Sequence, residues 1–157
     1  MAFLLDANGK VVNLGPQQDL IKGDVIFFNS QKHPSGHIWL TGDNRTGAGD
    51  GDDEQIIVKL NSLSEQYQRI IFVVSIYQGA QRGQHFGLVK NAYIRAVDGK
   101  GKELCRSSFI ALFSKRTPYA VVGFRAKYGR RDFNGLCVVI MRSASEAAFE
   151  RLFLLPH

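Results

Sequence analysis

Residues 42–54 contain the side chains of this chain that are best suited to bind a cation. Five carboxylates stand there against one arginine, giving a local charge of −4 in a chain whose total charge is +6. Two carboxylates held about 4 Å apart repel each other by about 1 kcal/mol in water and by roughly 4 kcal/mol at the effective dielectric of a protein surface. Four glycines in the same segment allow the backbone to turn carbonyl oxygens inward. The segment therefore predicts a cation site built from oxygen ligands.

The ligand chemistry favours Ca²⁺ as the cofactor. Carboxylate, amide and carbonyl oxygens suit a hard ion, and a flexible loop fits the variable coordination of Ca²⁺ better than the strict octahedron of Mg²⁺. The loop is not an EF-hand, because Arg45 and Ala48 stand where that motif requires an acid and a glycine. Residue types alone leave a second interpretation open, in which the loop is a solvated acidic turn whose charges point apart.

The elements that must position this loop are predicted to be mainly strands, because apolar residues alternate or form short continuous runs. Strand patterns cover residues 24–28, 37–40, 55–60 and 70–77, and residues 90–97 and 103–106 predict a hairpin around an Asp-Gly-Lys-Gly turn. Residues 61–68 predict a short helix or helical turn. Ser143 and Glu146 have capping-box spacing before a predicted C-terminal helix over residues 147–153. The pattern indicates a β-sandwich with short helical turns and this one helix.

Length and composition fit one globular domain. The chain has 157 residues, of which 45% are hydrophobic, and no stretch reaches the length of a membrane span. The apolar run that begins at Met1 ends at Asp6, too early for a signal peptide, so a cytoplasmic location is expected. Cys105 and Cys137 stand among apolar neighbours and are expected to be buried, reduced thiols.

Positive charge is concentrated in the last third of the chain. Residues 1–103 have no net charge, whereas residues 104–157 carry +6. The candidates for nucleic-acid contact are the cations interleaved with aromatic residues there, namely Arg125, Lys127, Arg130 and Arg131. They match no named motif, and a solvated basic strand and turn is the competing interpretation.

The sequence gives little support for a zinc site or for a catalytic site. His33 and His37 are four apart, but Pro34 and Gly36 forbid a helix between them, so a surface hairpin turn is favoured over a zinc site. No nucleophile elbow or phosphate-binding loop is present. We therefore expect a protein that is not an enzyme.

The acidic loop, together with four other segments, resembles the TerD-domain family of bacterial tellurium-resistance and stress proteins. The segments are residues 2–10, 27–29, 71–76 and 82–89. The resemblance implies a cytoplasmic β-sandwich that binds calcium and acts in a stress response with other stress-response proteins. The ion-facing residues that it implies are Asp43, Asn44, Asp52, Asp53 and Glu54, with Asp50 at a more variable position.

The chain also departs from the family pattern. Typical members carry an Asp-x-Asp segment ahead of the stretch that here begins at Ala2, and an acidic residue where Gln78 and Gly79 stand. From Ser107 onward the family's acidic segment and final strands are not recognisable. We therefore predict a TerD-like core over residues 1–106, incomplete at its N-terminus, and a divergent basic part of the same domain over residues 107–157. A nucleic-acid-binding protein and a degraded, inactive family member are the alternative hypotheses.

Overall fold

The fold is given by a computed structural model that describes residues 1–41, 54–75, 81–83, 85, 93–108, 119–124 and 137–142. In chain order the described strands are β1 (Ala2–Leu5), β2 (Val25–Ile26), β3 (Ile38–Leu40), β4 (Glu54–Val58), β5 (Arg69–Ser75), β6 (Tyr93–Asp98), β7 (Glu103–Ser108), β8 (Tyr119–Phe124) and β9 (Cys137–Arg142). One 3₁₀ turn, Leu60–Ser62, precedes β5.

The strands form two antiparallel sheets. One has the order β2-β1-β5-β8 and the other the order β3-β4-β9-β6-β7. The prediction of a mainly β protein is confirmed, and the helical turn expected near residues 61–68 is the 3₁₀ turn. The predicted C-terminal helix lies outside the described residues.

Alternation along the strands explains which faces form the core. In β4 every second residue is buried, and β6 buries Ile94 and Ala96 in the same way. β5 likewise buries Ile70, Phe72 and Val74 on one face. Because successive side chains of a strand point to opposite faces, each sheet presents one apolar face to the interior.

The turn of the β6–β7 hairpin agrees with its sequence. The Asp98 carboxylate accepts hydrogen bonds from the N–H groups of Lys100 and Lys102, both at 2.9 Å, and Gly101 adopts a φ of 83°. Cys105, on the second strand of this hairpin, is exposed. The expectation of a buried thiol is therefore wrong for Cys105. It lies opposite the buried Ala96, but β7 is the edge strand of its sheet, so its side chain is left uncovered.

A buried polar network joins the two sheets at one end. Asp24, directly before β2, is fully buried, and its Oδ1 accepts hydrogen bonds from the Tyr67 hydroxyl at 2.7 Å and from His33 Nε2 at 3.1 Å. Its Oδ2 accepts the Asn13 N–H at 2.8 Å. Burial, together with the bond to Asp24, raises the pKa of Tyr67 to about 12. The network connects β2, the turn before β3 and the segment before β5.

The same network assigns the ring nitrogens of His33. The Ser35 N–H donates to Nδ1 at 3.1 Å, so Nδ1 carries no proton and Nε2 is the nitrogen that donates to Asp24. The Ser35 hydroxyl also contacts Nδ1, at 2.7 Å. Both nitrogens are therefore used inside the protein, and this residue belongs to a turn with a buried anchor rather than to a metal site.

Two glycines close the loop that packs on this network. A Cβ at Gly23 would lie 2.5 Å from the Asn13 carbonyl oxygen, and one at Gly15 would lie 2.2 Å from the Ile21 carbonyl oxygen. Both contacts involve backbone, which cannot swing away as a side chain can. The loop over residues 13–23 is thus fixed in one close-packed conformation.

Replacing Gly23 with alanine should therefore destabilise the protein by roughly 2–3 kcal/mol, as overpacking does elsewhere. Gly36→Ala is the matched control. Gly36 has a φ of 72°, but a Cβ there would meet only the Lys32 side chain at 3.8 Å, so we expect a cost of about 1 kcal/mol. Urea unfolding of both variants measures the difference, and equal losses would contradict the close packing.

Tyr67→Phe should reduce the free energy of unfolding by about 1–3 kcal/mol, because it removes one donor from a fully buried carboxylate. Tyr93→Phe serves as control. Tyr93 is half-buried on β6 and its ring lies 4.1 Å from the Arg106 guanidinium, so we expect a change within about 0.5 kcal/mol. If Tyr67→Phe costs no more than this control in urea unfolding, the network does not anchor the sheets.

Candidate metal centre

The acidic loop begins and ends on two strands that are paired with each other. β3 and β4 are antiparallel, with Leu40 opposite Ile56. Beyond β3, the Thr41 N–H donates to the Gln55 carbonyl oxygen at 2.8 Å and the Thr41 hydroxyl donates to the same oxygen at 3.2 Å. The two ends of the loop are therefore held side by side, which removes most of the entropy that closing a long loop would otherwise cost.

Most of the predicted ligands lie within that loop. Asp43, Asn44, Asp50, Asp52 and Asp53 are outside the described residues. Glu54 is the predicted ligand whose position is described, and it is the first residue of β4. The nucleic-acid candidates Arg125, Lys127, Arg130 and Arg131 are also outside the described residues.

Glu54 faces the interior at the point where the loop rejoins the sheet. Its side chain is 3% exposed and alternates with the buried Ile56 and Val58 on the inward face of β4. A carboxylate is rarely buried unless positive charge or hydrogen bonds compensate for its lost hydration. Glu54 is therefore a buried carboxylate at the mouth of the acidic loop, and its role as a metal ligand stays a prediction.

The α-amino group of Met1 lies in the same region. It donates to the Val73 carbonyl oxygen at 2.9 Å, and the Val73 N–H donates back to the Met1 carbonyl oxygen at 2.9 Å. Desolvation lowers the pKa of this amino group from 8.0 to about 6, and the negative charge of Glu54 partly opposes that shift. Met1, Glu54 and the carboxyl-terminal half of β5 therefore meet at one end of the fold.

This convergence also shows at which end of the fold β5 stops. The strand ends at Ser75, two residues beyond Val73, so the chain leaves the sheet at the end where the acidic loop is anchored. Gln78 and Gly79, which stand where the family usually has an acid, lie outside the described residues.

The opposite end of the fold holds the strand ends that flank the basic segment 125–136, together with Asp24 and Tyr67. β8 ends at Phe124 opposite Ile70, and β9 begins at Cys137 opposite Val58. The strand ends joined by the basic segment 125–136 therefore lie at the end of the sheets remote from Glu54. Asp24 and Tyr67 are at that remote end as well, since the Asp24 carbonyl accepts the Leu4 N–H and the segment of Tyr67 leads directly into β5.

Within the part of the chain that the structure describes, no group of three or more His, Cys, Asp or Glu side chains converges on a common point. The same residues include no helix long and apolar enough to cross a membrane. What the described residues show is the pairing of the two strands that flank the loop and one buried carboxylate, Glu54, where the loop rejoins the sheet.

Comparison with known proteins identifies the family to which this architecture belongs. The TerD domain model matches residues 1–124. The chain is 60% identical over 110 residues to tellurium resistance protein TerX of Serratia marcescens, covering 68% of this chain and 52% of that protein. It is 40% identical over 114 residues to chemical-damaging agent resistance protein B of Clostridium acetobutylicum, covering 72% of this chain and 82% of that protein.

A third relative, YceE of Bacillus subtilis, is 41% identical over 136 residues, covering 86% of this chain and 67% of that protein. The chain belongs to the TerD domain family of tellurium-resistance and stress-response proteins. It spans about half the length of the TerX protein that it matches. The family match extends beyond residue 106, to the end of β8.

The environment of the Met1 amino group leads to a pH prediction. In EDTA, the free energy of unfolding should rise between pH 6 and pH 8, because the unfolded amine binds its proton more tightly than the folded one over that range. Since one pKa unit corresponds to about 1.4 kcal/mol, the contribution of this group is on the order of 2 kcal/mol.

Acetylation of the amino group removes its charge and provides the control. Denaturant unfolding of both forms at pH 6 and pH 8 gives the change in the free energy of unfolding between the two pH values. The difference between the free and the acetylated form in this change is the contribution of the amino group. Identical pH dependence in the free and acetylated forms would show that the amine is not desolvated beside Val73.

Proposed function

We propose that this chain is a cytoplasmic, calcium-binding stress-response protein associated with tellurite resistance, which acts by binding other stress-response proteins rather than by catalysis. The observation that carries the proposal is the buried Glu54 at a loop mouth closed by strand pairing. Family membership supports the association with tellurium resistance and stress.

The donor set fits a hard divalent ion. Glu54 supplies a carboxylate that is already oriented and largely removed from water, and the loop supplies further oxygens close to it in sequence. The residues that would hold the ion are Asp43, Asn44, Asp50, Asp52, Asp53 and Glu54. Bound Ca²⁺ would supply positive charge that offsets the repulsion among these carboxylates.

Binding and folding are coupled at this site. The strand pairing β3–β4 fixes both ends of the loop that would hold the ion, so the binding energy would be coupled to the folded sheet. An ion that binds the folded state alone stabilises it by mass action. The ordered loop would then offer a fixed surface to a protein partner at the end of the fold where Met1, Glu54 and β5 meet.

Millimolar CaCl₂ should raise the melting temperature by several degrees relative to EDTA, because an ion at about 100 times its Kd contributes about 2.7 kcal/mol. Asp52→Asn combined with Asp53→Asn should abolish this shift while preserving side-chain size. MgCl₂ should produce a smaller shift, since it tolerates irregular geometry poorly. Differential scanning fluorimetry and calorimetric titration measure both effects.

The matched control is Asp19→Asn combined with Glu65→Gln, which removes the same charge from two exposed acids outside the loop. This variant should retain the full calcium shift. An unchanged melting curve of the original chain in EDTA and in calcium contradicts the proposal, as does an equal loss of the shift in both double variants.

A further inference from the structure

A second site is indicated at the end of the fold remote from the acidic loop. A cleft of about 670 Å³ opens there between the loop over residues 13–22 and the turn before β3. It is lined by Asn13, Gly15, Pro16, Lys22, Lys32, His33 and Pro34. We propose that this cleft binds a small organic molecule that carries a phosphate or an equivalent dianionic group, with Lys22 and Lys32 recognising the charge.

The cleft is separate from the proposed metal centre. Pro34 and His33 precede β3, whereas the acidic loop follows it, so the two features lie at opposite ends of that strand. The Lys59 N–H donates to the His37 carbonyl oxygen at 2.8 Å, which places the turn beside the end of β4 and away from Glu54.

The charge of the cleft is positive. Its lining includes two lysines and no acidic residue, and within the described residues neither lysine forms an ion pair. The carboxylate of Asp24 lies beneath the lining, is fully buried and already accepts three hydrogen bonds. An anion in the cleft would therefore meet two ammonium groups that no described carboxylate neutralises, and ammonium groups are common ligands of phosphate.

One wall of the cleft is held rigidly. Asn13 and Asp24 exchange two hydrogen bonds of 2.8 Å, and the Lys22 N–H donates to the Ser30 hydroxyl at 3.0 Å. Lys22 itself has a φ of 58°, in the left-handed region that non-glycine residues seldom adopt, and Gln18 and Leu20 share this conformation. Such conformations persist where the surroundings impose them and are concentrated at ligand sites. A wall fixed in advance lowers the ordering cost of binding.

The volume of the cleft and the residues that line it indicate an organic ligand rather than a bare oxyanion. Cavities that bind small molecules usually measure roughly 300–1,000 Å³. Pro16 and Pro34 offer apolar ring faces, and the lysine side chains add their methylene stems. His33 contributes its ring alone, because both of its nitrogens are engaged by Asp24 and Ser35. The ligand class is therefore a phosphomonoester with an apolar or planar body.

Calorimetric titration of the full chain at low salt tests the site, with AMP as a phosphomonoester that has a planar body. AMP should bind, adenosine should not, and inorganic phosphate should bind more weakly than AMP. Lys22→Ala combined with Lys32→Ala should weaken AMP binding at least about tenfold, the change that corresponds to 1.4 kcal/mol.

Lys100→Ala combined with Lys102→Ala removes the same charge from two exposed lysines of the β6–β7 turn and should leave AMP binding unchanged. The melting temperatures of both variants show whether each remains folded. Absence of AMP binding to the original chain overturns the proposal, and so does equal weakening in the two double variants. If phosphate binds as tightly as AMP, the organic ligand class is wrong. None of these results depends on calcium binding.

Discussion

The pairing of β3 with β4 is the constraint on which the proposed metal centre depends. An isolated acidic loop would expand, because its carboxylates repel one another and water solvates them separately. Here the hydrogen bonds between Thr41 and Gln55 bring the two ends of the loop together, and Glu54 is turned inward by the alternation of a strand whose next inward residues are Ile56 and Val58. Strand register thus determines that an acid, and not its neighbour Gln55, occupies the buried position at the loop mouth.

The acidic loop and the lysine-lined cleft lie at different ends of the fold. Residues 42–54 supply −4 at one end. The cleft lysines lie at the other, as do the strand ends joined by segment 125–136, which contains Arg125, Lys127, Arg130 and Arg131. If both proposals hold, this arrangement would let a cation and an anion bind at sites that do not compete.

Much of the fold could be predicted from the sequence because its strands alternate. The patterns at residues 37–40, 55–60 and 70–77 correspond to β3, β4 and β5, and the Asp-Gly-Lys-Gly turn correctly placed the β6–β7 hairpin. β9 was not predicted. It reads Cys-Val-Val-Ile-Met-Arg, a continuous apolar run without alternation, and it pairs on both sides, with β4 and with β6. A central strand of this kind has no periodicity to distinguish it.

The candidate site could be predicted only in part from the sequence. The composition of the loop predicted a cation site, which stays a prediction, and the structure adds that Glu54 faces inward at the loop mouth. The sequence did not predict the hydrogen bond between Asp24 and Tyr67, because 43 residues separate them and the contact exists only once the sheets have formed. His33 was placed in a turn but was expected at the surface, whereas it is 5% exposed and bound to Asp24. The exposure of Cys105 was missed because its apolar neighbours do not reveal that β7 is the edge strand of its sheet.

The proposed function depends on the acidic loop surrounding a divalent ion with its own oxygens. Two-dimensional NMR of the isotope-labelled chain during a calcium titration tests this claim residue by residue. It predicts large, saturable changes in the amide resonances of residues 42–54 and of Val73, with little change at Asp24 or Lys22. Shifts that are absent from residues 42–54, or that accumulate without saturating across every acidic residue of the chain, would contradict it.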